Sequence, residues 1–104
     1  MTLPYEFEPE AEQELRDAAA WYEAEHERLG EAFLDRAREA TDLVRQFPDA
    51  GSPVKLARSA LGLRQIRLQQ FRYRLVYMVA EGKVIIVAVA HDRRRPGYWT
   101  DRRS

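Results

Sequence analysis

Apolar residues recur with two different periods along the chain, and the change divides it into a helical part and a strand-rich part. The alternating stretch "LPYEFE" predicts a short strand over residues 2–7. From Pro9 onward the apolar spacing becomes helical, which predicts a first helix that runs to about Leu29, with Gly30 as the break. Trp21 lies beside the apolar stripe of this helix, so we expect it to support the edge of the core or a contact.

A second helix is predicted after Gly30. Its apolar residues step by 4, 3, 4 and 3 positions from Phe33 to Phe47, which places them on one face. Pro48 and Gly51 follow and cannot continue a helix. Because the link between the two helices is short, they are expected to form an antiparallel hairpin.

Beyond a loop over residues 54–62, the apolar period shortens to two. Strands are predicted over residues 63–69, 71–79 and 83–91, with Glu81-Gly82 as a hairpin turn between the last two. The final stretch, "KVIIVAVAH", is apolar on both faces, which indicates a central, covered strand. The order β-α-α-β-β-β predicts an α+β domain in which a helical hairpin packs on a small antiparallel sheet.

Length and composition limit the function classes. The chain has 104 residues, enough for one domain over residues 1–99 followed by a short basic tail over 100–104. It has no apolar run long enough to span a membrane, and its first residues lack the apolar core of a secretory signal. The absence of cysteine excludes a disulfide scaffold and fits the cytoplasm. With two histidines far apart and no ligand spacing, we expect neither a metal nor a cofactor.

Charge is divided unevenly. Residues 1–48 hold 13 acidic and 5 basic side chains, a balance of −8, whereas residues 49–104 hold 4 acidic and 12 basic, a balance of +8. Such asymmetry indicates a polyanion or an acidic partner for the second half. Mutual neutralisation of the two halves within one domain explains the same pattern.

Four arginines in the first two predicted strands of the second half are candidate binding residues. Because side chains alternate across a strand, Arg72 and Arg74 share one face, opposite the tyrosines that we expect to pack under the helices. Arg64 and Arg67 have opposite parity, so one of them is expected to join the same open face. A solvated outer face of a half-buried sheet accounts for these arginines equally well.

The stretch "AVAHDRRRPGYW" contains the residues best suited to chemistry. His91 ends a central strand, and an imidazole side chain can gain or lose a proton near neutral pH, so it is a candidate general acid or base, with Tyr98 as a second proton-transfer group. The candidates for binding a target or nucleic acid are Arg93, Arg94, Arg95 and Trp99. In the structural alternative, Pro96-Gly97 turns the two aromatic residues back to cover the core.

The ordered set of motifs resembles the RelE/ParE toxin superfamily of bacterial type II toxin–antitoxin modules. "EFEPEAEQELRDAAAWYEAE" is similar to its opening strand and first helix, and "GEAFLDRAREATDLVRQFPDAGSPV" to its second helix and Phe-Pro-x-x-Gly turn. "GLRQIRLQQFRYRLVYMV" resembles its arginine-bearing strands, and "VIIVAVAHDRRRPGYW" its last strand and basic end.

This resemblance implies a growth-inhibiting toxin that a cognate antitoxin neutralises, with the two as a possible hetero-oligomer and no membrane partner. ParE-like members act on DNA gyrase and are not nucleases, whereas RelE-like members cleave mRNA on the ribosome without a metal. The helical hairpin and the Phe-Pro-x-x-Gly turn favour the ParE-like function. His91 and Tyr98 would be catalytic only in the RelE-like function. A non-toxic interaction domain of the same fold is the third alternative.

Overall fold

Two helices pack on one face of a five-stranded sheet in the computed structural model, which describes residues 2–55 and 62–102. The elements in chain order are β1 (Tyr5–Phe7), α1 (Pro9–Glu25), α2 (Leu29–Gln46), β2 (Ser52–Pro53), β3 (Arg64–Arg67), β4 (Tyr73–Ala80), β5 (Lys83–His91) and a 3-10 turn (Thr100–Arg102). The predicted α+β class and element order are confirmed, with the short strand β2 added between α2 and β3.

The strands lie in the order β1-β5-β4-β3-β2. All pairings are antiparallel except that of β1, which runs parallel to β5 with Tyr5 opposite Val84. The sheet is therefore mixed, and the prediction of a wholly antiparallel sheet is wrong at this edge. Most of the chain separates β1 from β5, so no hairpin turn dictates their relative direction. Between β4 and β5, Glu81 and Gly82 have positive φ angles of 55° and 73°, which confirms the predicted tight turn.

The link between the helices differs from the prediction. Helix α1 ends at Glu25, and Arg28, in a left-handed conformation with φ 70°, leads into α2. The Glu23 carboxylate accepts hydrogen bonds from the backbone N–H groups of Arg28 and Gly30, both at 3.0 Å, and so caps α2. Gly30 lies inside α2, where a Cβ atom would be 2.5 Å from the Ala19 carbonyl oxygen. The glycine thus allows close helix packing and does not break a helix.

Strand β5 is covered on both faces, as predicted. On the helix face, residues of both helices and of β4 and β5 form the main core; its largest fully buried members are Phe33, Val44, Leu75, Tyr77, Val84 and Ile86. The opposite face, which we call the outer face, carries a second cluster of Leu63, Val76, Met78, Ile85, Val87, Ala88, Ala90 and Trp99. The register shifts between Val76 and Tyr77, which pair with Ala88 and Ile86, so Val87 is the extra residue of a bulge.

A buried tyrosine fastens the turn after α2 to the sheet. The Tyr77 hydroxyl donates a hydrogen bond to the Pro48 carbonyl at 2.7 Å and accepts one from the Gly51 N–H at 2.9 Å. A Cβ atom at Gly51 would lie 2.7 Å from this hydroxyl, so glycine is required for the approach. Tyr77 is fully buried, and this burial raises its pKa. Its buried hydroxyl nevertheless has hydrogen-bond partners for both its donor and its acceptor.

Parts of the predicted organisation fall on residues that the structure leaves undescribed. The predicted loop over 54–62 lies mostly on residues 56–61, outside the described ranges. The predicted tail over 100–104 begins with the 3-10 turn, while residues 103 and 104 lie outside the described ranges, so the domain boundary at residue 99 stays a prediction. Among the described helices, none combines the length and the apolar character needed to cross a membrane.

Candidate functional site

Two of the four sheet arginines lie on the outer face. Arg74 of β4 pairs in register with Ala90 and donates a hydrogen bond to the Gln65 side-chain oxygen at 3.2 Å. Arg67 of β3 is opposite Arg74 and forms an ion pair with Asp92 at 2.9 Å. Arg67 is therefore the β3 arginine that joins the outer face, although a carboxylate already neutralises its charge.

The other two arginines lie elsewhere. Arg64 donates to the Gly51 carbonyl at 2.7 Å and forms an ion pair with Asp49 at 3.4 Å, which closes the turn after α2. Arg72 belongs to the bend before β4, so the alternation of the strand does not extend to it. It lines a groove beside Trp21 on the helix side, and the predicted grouping of Arg72 with Arg74 on one face is not what the structure shows.

His91 lies at the end of β5, half-buried, where three surface depressions meet. Its ring packs edge-on against Tyr73, with the ring centroids 4.9 Å apart. The Nδ1 atom accepts a hydrogen bond from the Arg93 backbone N–H at 2.9 Å, which places the proton of the neutral ring on Nε2. One of the two ring nitrogens is thus engaged in fixing the loop that follows the strand.

The aromatic residues after the Pro-Gly turn fold back onto the domain, as the structural alternative predicts. Trp99 is only 5% exposed and belongs to the outer-face cluster. The face of the Tyr98 ring is covered by the Arg94 guanidinium, 3.9 Å from the ring centroid. Neither ring is therefore placed to stack on a nucleic-acid base in this arrangement.

The carboxylate that organises this region, Glu14 of α1, was missed by sequence reasoning. It accepts hydrogen bonds from the Tyr98 hydroxyl at 2.5 Å and from two nitrogens of Arg102 at 2.9 and 3.0 Å. The side chains of Glu14 and Arg102 are only 17% and 18% exposed. The two residues are 88 positions apart, so nothing in the local pattern of "AEQELRD" distinguishes Glu14 from the solvated acids around it.

Glu14 and Arg102 also complete the edge of β5. Strand β1 ends at Phe7, which pairs with Ile86. Just beyond that point, the Val87 carbonyl accepts a hydrogen bond from Arg102 at 3.2 Å, and the Val89 N–H donates one to Glu14 at 2.9 Å. The ion pair therefore satisfies backbone groups of the strand that β1 no longer reaches.

The environment of Tyr98 disfavours loss of its proton. Burial, followed by the hydrogen bond to Glu14 and the charge of that carboxylate, raises the pKa of Tyr98 far above its ordinary value. The folded protein keeps this proton in a pH range where the unfolded chain loses it. The contribution of Tyr98 to the free energy of unfolding is therefore fully present below about pH 10 and decreases as the pH rises further.

We expect Tyr98→Phe to be less stable than the unmodified chain by about 1–3 kcal/mol at neutral pH, because the hydrogen bond to a charged group is lost. The difference in stability should be smaller at about pH 11. The unmodified chain loses part of the Tyr98 contribution there, whereas phenylalanine has no proton to lose and the variant is unaffected at this position. Urea titrations at both pH values measure it, and the other buried tyrosines are common to both proteins. An unchanged difference at the higher pH would contradict this assignment.

The two larger of the three depressions that meet at His91 each contain at least one predicted binding arginine. The first, which we call the outer-face cleft, has a volume of about 310 Å³. Its lining contains the cations Lys55, Arg74, Arg94 and Arg95 together with small residues and the rings of His91, Tyr98 and Trp99. The second, the Trp21 groove, has a volume of about 550 Å³ and is lined by Trp21, Tyr22, Leu29, Gln70, Phe71, Arg72, Tyr73 and His91. Trp21 is 59% exposed at its rim. Among the described residues there is no cluster of three or more His, Cys, Asp or Glu that could hold a metal ion.

The family described as "ParE toxin of type II toxin-antitoxin system, parDE" matches residues 5–96 of the chain. No curated protein is significantly similar to it. A solved structure described as "Chromosomal ParDE TA system from P. aeruginosa" is 14% identical, with a TM-score of 0.66, and the match covers 86% of this chain and 96% of that one. At this identity the structural match shows the fold, while the family match extends over most of the sequence.

Proposed function

Since the chain belongs to the ParE toxin family of type II toxin–antitoxin systems, we propose that it inhibits growth by binding DNA gyrase in the cytoplasm and is neutralised by a cognate antitoxin. The solved neighbour is described as a ParDE toxin–antitoxin system, which supports the antitoxin as a partner. In this proposal the protein is a binding toxin without catalytic activity of its own.

The observation that carries the proposal is the engagement of Tyr98. Its hydroxyl donates to Glu14 at 2.5 Å, and its pKa is raised, so it is a poor source or acceptor of a proton at neutral pH. Metal-free RNA cleavage needs a proton donor and a proton acceptor near the phosphate. Of the two candidates predicted for that role, Tyr98 is engaged by Glu14, and the Nδ1 atom of His91 accepts from the backbone of its own loop. Only the Nε2 atom of His91 has no hydrogen bond to a described residue.

The exposed apolar surface supports a function in protein binding. Trp21 is exposed beside a groove whose floor is a set of contacting aromatic rings, including Tyr22, Phe71 and Tyr73. Exposed tryptophan next to such a groove is typical of contact sites, where aromatic anchors contribute much of the binding energy. The Trp21 groove is our candidate surface for gyrase or the antitoxin.

A ribosome-dependent mRNA endoribonuclease is the second candidate, and one observation favours it. His91 lines the outer-face cleft together with Arg74 and Arg94, a combination that could hold a phosphate beside a titratable group. In that case His91→Gln should abolish toxicity, whereas a gyrase-binding toxin should largely retain it.

Induced expression of the chain without an antitoxin distinguishes the candidates. We expect growth arrest, altered supercoiling of a reporter plasmid, and no new mRNA ends within translated codons by primer extension. Because His91 lines the Trp21 groove, His91→Gln should weaken growth arrest only in part if the chain binds gyrase. Cuts in mRNA that disappear with His91→Gln would replace the proposal with the nuclease function, and normal growth would indicate a non-toxic interaction domain.

A further inference from the structure

The basic side chains of residues 2–55 and 62–102 fall into two groups according to their partners. Eight of them form ion pairs with carboxylates: Arg16, Arg36, Arg38, Arg45, Arg64, Arg67, Lys83 and Arg102. Seven form no ion pair with any carboxylate of residues 2–55 and 62–102: Arg28, Lys55, Arg72, Arg74, Arg93, Arg94 and Arg95. Of the second group, Lys55, Arg74, Arg94 and Arg95 line the outer-face cleft and Arg93 precedes Arg94 in the chain, whereas Arg28 and Arg72 lie elsewhere.

Four of these unneutralised cations line the outer-face cleft itself, namely Lys55, Arg74, Arg94 and Arg95. No aspartate or glutamate is among the described residues that line it. Close positive charges repel one another, so their concentration in one concave site without a carboxylate opposes folding unless an anion joins them. The cleft therefore has the electrostatics of an anion-binding site.

Two of the guanidinium groups are already oriented. Arg74 is held by its hydrogen bond to the Gln65 side-chain oxygen at 3.2 Å, and Arg94 lies against the Tyr98 ring at 3.9 Å. Neither contact neutralises the charge, and each leaves further N–H donors for an incoming group. Arginine presents donors in a planar fork that matches two oxygens of a phosphate, and a held side chain loses less entropy on binding.

The surface around the cleft favours a nucleic-acid backbone over an acidic peptide. A peptide needs apolar anchors, but the large exposed apolar residues of the described chain are Tyr5, Trp21, Leu34, Leu43, Phe47 and Val79, and none of them lines this cleft. The tryptophan in the cleft, Trp99, is buried. Such a surface can bind phosphates but offers no ring on which a base can stack. Contacts to phosphates alone carry no sequence information.

We propose that the outer-face cleft binds the phosphate backbone of duplex DNA without sequence specificity. The choice of duplex DNA rests on the proposed function, because a gyrase-directed toxin acts where gyrase holds its DNA. The cleft then supplies a second contact beside the one made to the enzyme, with Lys55, Arg74, Arg94 and Arg95 each facing phosphate oxygens.

Fluorescence anisotropy with a short labelled duplex, at several salt concentrations, tests the proposal on the purified chain. We expect binding that weakens as salt rises. Arg74→Gln combined with Arg94→Gln should weaken it about tenfold at low salt and reduce the slope of log affinity against log salt by about 2, one for each lost phosphate contact. Lys55→Gln combined with Arg95→Gln, at two exposed positions, should act similarly and gives an independent pair if the first variant is unstable.

The matched control is Arg16→Gln combined with Arg38→Gln, which removes the same charge from the helical hairpin at side chains that are 71% and 70% exposed. We expect the control to bind almost as tightly as the unmodified chain. Equal losses in the control and the cleft variants would overturn the proposal, since only net charge would then matter.

Further probes identify the anion and separate this inference from the proposed function. Tighter binding of single-stranded RNA or of a polyglutamate peptide than of the duplex, or binding of inorganic phosphate alone, would overturn the assignment to DNA. If gyrase is inhibited but no duplex binds, only this inference fails. If the duplex binds through the cleft and gyrase is unaffected, the cleft assignment stands and the proposed function fails.

Discussion

Phe33→Ala is expected to lower the free energy of unfolding by about 3–5 kcal/mol, the cost of deleting a large buried ring whose cavity cannot fully collapse. Phe33 is completely buried, stacks on Tyr22 at 5.3 Å between centroids, and meets Phe71 and Tyr73 edge-on at 5.2 and 5.0 Å. A domain of this size has a total stability of about 5–15 kcal/mol, so this single change should remove a large share of it.

Denaturant unfolding measures the effect, and the neighbouring residue offers a control. Leu34→Ala should cost less, since this residue is 37% exposed and part of the removed surface already contacts water. Because Phe71 and Tyr73 also line the Trp21 groove, Phe33→Ala should disturb that surface as well. Losses of similar size for the two variants would contradict the described core.

Glu14→Gln is expected to destabilise the protein by about 2–4 kcal/mol, because it removes charge-assisted hydrogen bonds and leaves Arg102 partly buried without its counter-charge. The amide also presents N–H donors where the carboxylate accepts from the Tyr98 hydroxyl, Arg102 and the Val89 N–H. The residues after Pro96 should then detach more readily and expose Trp99.

The same substitution two residues earlier provides the control. Glu12→Gln removes an ion pair with Arg16 whose side chains are 49% and 71% exposed, and exposed pairs contribute about 1 kcal/mol or less. Denaturant titration gives the stabilities. Tryptophan emission and limited proteolysis report whether the final segment is released. Equal effects of the two substitutions would refute the role assigned to Glu14.

Local pattern was sufficient to predict most of the architecture. The change of period from 3.6 to 2 predicted both helices and the strands β3, β4 and β5, and the apolar run of β5 identified the strand that is covered on both faces. These features depend on residues a few positions apart, which is the range over which hydrophobic periodicity acts.

Features that depend on distant residues were missed or misplaced. Glycine is the residue type expected at a helix break, but the fold does not use the backbone freedom of Gly30. The close approach of α1 at Ala19 requires the missing Cβ atom instead. The direction of β1 is decided by pairing with β5, far along the chain. The role of Glu14 likewise depends on Arg102, which reaches it only in the folded structure.

The sequence could predict which residues are candidates for the site, but not how the fold places them relative to one another. Arg74 and Arg94 do line one cleft, whereas Arg72 lies in a bend and Trp99 is buried. Lys55 precedes the undescribed residues 56–61 and has no strand pattern to place it, so its position in the cleft became apparent only from the fold. Charge asymmetry indicated a basic surface in the second half but not which cations lack a carboxylate partner.

The most direct test of the central proposal is a supercoiling and DNA-cleavage assay with purified gyrase and the purified chain. We expect loss of supercoiling and accumulation of the gyrase–DNA cleavage complex at micromolar toxin. Normal supercoiling and no trapped complex at that concentration would contradict the proposal that this protein acts on gyrase.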